Sequence, residues 1–515
     1  MCKCYYIHLL VTCYNHNTGK RAKLNDIREC CYLLNLIRKL KMHNSDGLCF
    51  YYGMRYSMEP VIRIIQTAQG DEVKWRDLGS LELRDYFSFR MDTVVVDSSQ
   101  EFQTHLGFGG AFTESAAYVM ANASEEVRAD IIKAYFNKES GLAYNLGRTS
   151  INGCDFSLDP YVYVEDGDAD LKTFNMERED KYVVPFIKQA GEEAGEDIGI
   201  LCAPWSPPAF MKNNKDMNHG GRLLRKYYGT WAKYMVKYIQ GMLERGINIR
   251  TVSVQNEPEA KQLWASCKYD PTEEAMLAVD YIYEELKAAG LEERIKIVIL
   301  DHNRDIMFRR VRETLAYKNA KEIVWGIAYH WYGSDKSEIL AMAHDIYPKQ
   351  HLIFTEGCVE LVNNSGSTSS TAGIGAWKHG ETYGRNMIKD FNNHTEAWVD
   401  WNLVLDEKGG PNYAGNYCEA PIMVNTKTNK ITYNVSYFYI GHFSRYIKPG
   451  AKRVLCLNDS DKGIYSVAYK NPDGQIVVVV QNELNKRNRI ALAIDGKGMN
   501  TEMPPHSITT FIVEK

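Results

Sequence analysis

Between residues 105 and 404 the chain repeats one pattern eight times, an apolar run followed by an amphipathic stretch. The runs fall near 105–112, 143–150, 197–204, 249–256, 295–301, 324–331, 351–356 and 397–404. Short apolar runs of this kind read as strands buried on both faces, as in a parallel sheet. The stretches between them include EEVRADIIKAYF (125–136), LLRKYYGTWAKYMVKYIQGMLERG (223–246) and PTEEAMLAVDYIYEELKAAG (271–290), with apolar residues at helical spacing. The last starts at Pro271 with acids behind it and stops at Gly290, the ordinary punctuation of a helix. Eight such units in order predict an α/β fold, a (β/α)8 barrel spanning 103–448.

In such barrels the chemistry gathers at the C-terminal strand ends. The fourth run, IRTVSVQN, delivers Asn256 and Glu257 side by side, and Pro258 stops the ladder. The seventh, HLIFTE, ends in Glu356, and Gly357 after it is expected to let the backbone turn sharply. A lone carboxyl at a strand end is most often a surface residue. Two on one rim can flank a glycosidic bond, one kept protonated as an acid and one kept ionised.

The other strand ends supply Arg148, Asp155, Trp205, His330, Tyr332 and Trp401 to the same rim or the loops above it. Each alone is more often structural. Together they suit a neutral, hydroxyl-rich ring, with tryptophan faces for sugar C–H surfaces and Asp and Arg for vicinal hydroxyls.

Outside the barrel the pattern changes. Residues 58–102 carry strand-like runs (VIRII, TVVV), and 449–515 alternate short strands with turns. Asp473-Gly474 between GIYSVAYK and QIVVVVQN is a hairpin signal. These two segments are expected to build one all-β sandwich side domain. Residues 1–57 differ from both: they are basic and cysteine-rich, and 28–41 could form a basic helix. We read them as an atypical extension, upstream of a start at Met54 or Met58.

A net charge of −4 gives no electrostatic case for nucleic acid or an anionic membrane. No run of eighteen or more apolar residues offers a membrane span. The cysteines beyond residue 57 stand singly, which reads as reduced thiols and, with no leader peptide recognised, as a cytoplasmic protein. No spacing fits a metal site: His302 and His330 are not joined by a carboxylate in ligand register, and no cofactor is called for.

Several motifs, quoted as they stand, resemble glycoside hydrolase family 30. They are GFGGAFTES (107–115), GRTSINGCDFS (147–157), APWSPPAFMK (203–212), SVQNEPEA (253–260), YHWYG (329–333), FTEGC (354–358) and WVDWNLVLDEKGGPNYAGNYCEAPIMV (398–424). The resemblance implies a retaining β-glycosidase of the glucosylceramidase or β-glucosidase type acting on a β-linked glucoside or oligosaccharide. By motif, Glu257 is the acid/base, Glu356 the nucleophile and Asn256 the partner of the sugar 2-hydroxyl. Arg148, Asp155, Trp205, Tyr332, Trp401 and Asn416 would line the glycone site. Three alternatives stay open: an endo-β-1,6-glucanase, a β-xylosidase, or a carbohydrate-binding barrel without catalysis.

Overall fold

The computed structural model describes residues 60–85, 91–361, 373–460 and 463–514, with the strands at 12–14 and 21–23. Those two strands pair antiparallel with each other. The helix read at 28–41 lies outside the described residues.

Eight parallel strands close the barrel: β1 (Gly107–Ala111), β2 (Leu146–Ile151), β3 (Gly199–Pro204), β4 (Ile249–Ser253), β5 (Lys296–Asn303), β6 (Val324–His330), β7 (His351–Glu356) and β8 (Thr395–Asn402). All eight coincide with the apolar runs. Alternation along a strand sends successive side chains to opposite faces. On β3, Ile200 and Cys202 join the large cluster that includes helix residues such as Trp231 and Phe186. Leu201 and Ala203 join a separate inner cluster with Ala111, Val298 and Ala328. This is why the runs are largely apolar: both faces are buried, although the exposed Arg250 interrupts β4.

The helices begin where the sequence marks them. Asp270 caps Pro271–Met276 in a reciprocal capping box with Glu273, both bonds at 2.9 Å. Gly290 after it takes φ 67°, as a left-handed helix stop requires. The stretch is not one regular helix, however. Leu277–Ile282 forms a π turn between two α segments, and Leu277, Ala278, Val279 and Ile282 are all buried there.

The side domain is a nine-stranded sheet ordered Lys497–Met503, Asn488–Ile494, Asp92–Thr104, Lys452–Asn458, Ile464–Lys470, Ile476–Asn482, Ser507–Glu514, Val61–Ala68 and Arg76–Glu82. Strands before and after the barrel thus share one sheet. Ile62, Val94, Val478, Leu492 and Phe511 meet in one buried cluster, so the sheet folds over its own core as a sandwich. The Asp473-Gly474 hairpin joins Lys470 to Ile476 in register. Buried His442 bonds Thr510 at 2.8 Å and Thr67 at 2.9 Å, fastening both ends of the sandwich to the last barrel helix, Val435–Ser444.

Candidate active site

The ends of β2, β4, β5, β6 and β7 converge on one buried cation. Arg148 is fully buried, and its guanidinium reaches four acceptors: Glu356 Oε2 at 2.6 Å, Asn256 Oδ1 at 2.8 Å, Asp301 Oδ2 at 2.9 Å and the Thr355 carbonyl at 3.1 Å. A guanidinium cannot be deprotonated in a protein and offers donors in a fixed fork, so it sets charge and geometry together. Tyr332 donates its hydroxyl to the other Glu356 oxygen at 3.1 Å.

Glu257 has different company. His330 Nδ1 lies 3.3 Å from its Oε1, and His302 Nδ1 lies 3.8 Å from the same oxygen. The second nitrogen of His330 bonds Asp301 at 3.1 Å, and Thr355 donates to Asp301 at 2.7 Å. Burial lowers the affinity of His330 for its proton, but the charge of Glu356 and the bonds to Asp301 and Glu257 outweigh it and raise its pKa to about 9. Burial raises Glu257, yet the His330 hydrogen bond and the charges of His302 and His330 hold it below the usual carboxylate range. Burial raises the Glu356 carboxyl against the pull of His330 and Arg148. The sequence led us to expect one of the two carboxyls to be kept protonated as an acid. In this resting arrangement the balance of charge instead favours a proton on His330 and an ionised Glu257.

The backbone under these groups is strained. Glu257, Leu300 and Asp301 take φ values of 47°, 72° and 42°, in the left-handed region non-glycine residues avoid. The amide of Glu257 is held by the Asp301 carbonyl at 2.9 Å, so the two strained strand ends fix each other.

A cavity of about 220 Å³ opens over this assembly, lined by Asp155, Trp205, Asn256, Glu257, Tyr332, Glu356, Trp401 and Asn416. Seven of these were read from the sequence as site residues beside Glu257, and the structure brings all of them to one cavity. Trp205 and Trp401 stack at 5.4 Å with a 26° tilt, an apolar wall over which Arg148 sits. Asp155 accepts from the Asn416 amide at 3.0 Å through Oδ2, while its buried Oδ1 has no partner and is free to accept a hydroxyl. Burial and the charge of Glu356 raise the Asp155 carboxyl to about 7. Asn256 spends its oxygen on Arg148, leaving the amide NH2 for a ligand.

Two expectations are corrected. Arg148 and His330 do not line the cavity; they lie behind its wall and hold the residues that do. Register shifts beside Leu300 and beside His330 turn side chains inward that plain alternation would put elsewhere. Gly357 is not a left-handed turn. A Cβ there would lie 2.4 Å from Phe354 Cζ and 2.8 Å from Trp331 Cε2, so the residue is small because two rings press on it.

The sequence reading missed Asp301, although IVIL before it gives the same signature of an apolar run ending in a carboxyl. It also missed the outer wall of the cavity: Gln262, Trp264, Asn303, Cys358, Glu360 and Cys418. A larger hollow, about 450 Å³, lies beside Lys188, Glu192 and Asn248, just ahead of β3 and β4. That is the face of the barrel opposite the strand ends that carry chemistry.

A (β/α)8 barrel whose rim holds two carboxyls, a fixed cation and stacked tryptophans defines a glycoside hydrolase. The chain belongs to glycosyl hydrolase family 30: the family's TIM-barrel model matches residues 105–447 and its β-sandwich model residues 450–511. Mouse lysosomal acid glucosylceramidase is 28% identical over 81% of this chain and 83% of its own length. Among solved structures, SrfJ from Salmonella typhimurium is 32% identical with a TM-score of 0.83, covering 88% of this chain and 100% of SrfJ. An endo-β1,6-glucanase is 26% identical with a TM-score of 0.77, over 88% of this chain and 99% of that one.

Proposed function

We propose that this glycoside hydrolase is a retaining β-glucosidase of the glucosylceramidase type, with Glu356 as nucleophile and Glu257 as acid/base. One observation carries the assignment: Glu356 is paired with a permanent cation, Glu257 with a titratable one. Arg148 donates to Glu356 and favours its charged, attacking form against the burial that raises its carboxyl. His330 holds a proton it can pass to Glu257 and on to a departing oxygen.

In the first displacement Glu356 attacks the anomeric carbon and the bond to the leaving oxygen breaks as Glu257 protonates it. The charge of Glu356 is consumed in the ester, which weakens the pull that keeps His330 protonated. Water then attacks the anomeric carbon, Glu257 takes its proton, and Glu356 leaves as a carboxylate. Asp155 Oδ1, the Asn256 amide and the Trp205–Trp401 wall hold the sugar meanwhile. The kinship to a glucosylceramidase supports glucose as the glycone.

The outer wall favours a second reading of the aglycone. Trp264 offers a ring face, and Gln262, Asn303 and Glu360 offer polar groups, which suits a second sugar as in a β-1,6-glucan. Aryl β-glucoside, β-xyloside, gentiobiose-type oligomers and glucosylceramide, assayed together, separate these readings. Turnover of the glucoside and the ceramide substrate supports the first. Turnover confined to β-1,6 oligomers supports the second, and turnover of none contradicts both.

A further inference from the structure

Cys358 lies two residues past Glu356, and Cys418 two residues past Asn416. Val359–Glu360 and Cys418–Glu419 form a short antiparallel ladder with Glu360 opposite Cys418. Cys358 is therefore the diagonal neighbour of Cys418 on one face of that ladder. The two Sγ atoms are 3.1 Å apart. Ordinary non-bonded carbons approach only to about 3.5–4.0 Å, and sulfur is larger. Both thiols are free, both are buried, and both line the cavity beside Glu356 and Asn416. Glycoside hydrolysis uses neither.

We propose that Cys358 and Cys418 are a dithiol oxidation site inside the sugar cavity, which a small oxidant of the peroxide class converts to a disulfide that switches turnover off. One Sγ attacks a peroxide oxygen, the O–O bond breaks, and water leaves, giving a sulfenic acid. The second Sγ attacks that sulfur, the S–O bond breaks, and a second water leaves with the remaining proton. Two thiols and one peroxide become one disulfide and two waters, each sulfur giving up one electron. Dithiol reductants reverse it by exchange.

Bond formation must draw the sulfurs from 3.1 Å to about 2 Å. The movement falls on the segments that carry Glu356 and Asn416. It also disturbs Tyr332, whose hydroxyl lies 3.5 Å from Cys358 Sγ and 3.1 Å from Glu356. A misplacement of about 1 Å at a catalytic group can cost about 100-fold. Burial pushes the Cys358 thiol well above its ordinary range, so the reaction is slow at neutral pH and quickens as pH rises.

The effect on turnover rests on Glu356 as nucleophile; the cross-link does not. The test treats the full chain with diamide, a diazene that accepts the same two electrons and two protons, then maps non-reduced peptides and assays an aryl β-glucoside. We expect a peptide joining Cys358 to Cys418, about 100-fold loss of turnover, and recovery with dithiothreitol. Cys418→Ser and Cys358→Ser, each compared with its own untreated rate, should lose nothing. Glu356→Gln, with no turnover to lose, should still cross-link, which separates this site from the catalytic reading. Absence of the joined peptide overturns the proposal. So does a cross-link without loss of turnover, or an equal loss in Cys418→Ser. Should the serine variants fail to fold, the peptide map and the dithiothreitol recovery of the unaltered chain decide alone.

Discussion

Arg148 Nη1 donates to Glu356 Oε2 at 2.6 Å, while the neighbouring Nη2 reaches Asp301 at 2.9 Å, with neither Arg148 nor Asp301 open to solvent. One cation therefore anchors both Glu356 and the carboxylate that bonds His330. A charge-assisted bond of this kind in a low-dielectric site is stronger than a neutral one, and removing one partner strands the other.

Arg148→Gln should lower stability by about 3–5 kcal/mol, the usual cost of breaking a buried ion pair. Turnover should fall at least about 100-fold, since an electrostatic donor to the reacting group is gone. Arg148→Lys keeps charge but not the fork and should recover stability better than turnover. Chemical denaturation and steady-state kinetics on the three chains check this.

The pH dependence follows from His330 and Asp155. His330 in the fold titrates at about 9, above its ordinary 6.5, so its stabilising bonds are complete below about 6.5 and are lost as pH rises through 9. Asp155, raised from 3.8 to about 7, acts in the same direction: the fold favours its protonated form, and that advantage goes as pH rises through 7. Melting temperature should fall steadily from pH 6 to pH 10. The same His330 proton should give kcat/KM an alkaline limb near 9.

Asp301→Asn removes both a hydrogen bond and a charge that keep His330 protonated. The alkaline limb should move down by about one pH unit or more. A residue that merely supports the fold would lower the rate without moving the limb.

The barrel was legible because most of its strand residues are buried on both faces, so Ile200–Ala203 and Leu352–Phe354 stand in continuous apolar runs that no amphipathic strand would show. Glu257 and Glu356 were legible because each interrupts such a run at its end. The depth of His330 was not, because it follows a register shift at 329–330 that leaves no mark in composition. Arg148 stands at an inward position opposite Ala111 and Leu201, and its depth depends on partners from the ends of β4, β5 and β7. The Cys358–Cys418 contact joins residues 60 apart through a ladder two residues long, and no local pattern announces it. Gly357 was read correctly as a necessary glycine for the wrong reason: only the packed rings of Phe354 and Trp331 explain it.

Gly357→Ala should accordingly destabilise the fold by about 1–3 kcal/mol through overpacking. Because the displaced backbone carries Glu356, turnover should fall more than the melting temperature suggests. Calorimetry beside kinetics distinguishes this from a turn glycine, where strain alone would be at work.

The most direct test of the central claim, the division of labour between Glu356 and Glu257, is the stereochemistry of azide rescue. Glu356→Ala with added azide, on an activated aryl β-glucoside, should give the α-glycosyl azide, because azide enters from the face the nucleophile has left. Glu257→Ala should still form the glycosyl-enzyme from a leaving group that needs no proton, and azide should then release the β-glycosyl azide. The α-azide from Glu257→Ala, or the β-azide from Glu356→Ala, would reverse the assignment and contradict the account.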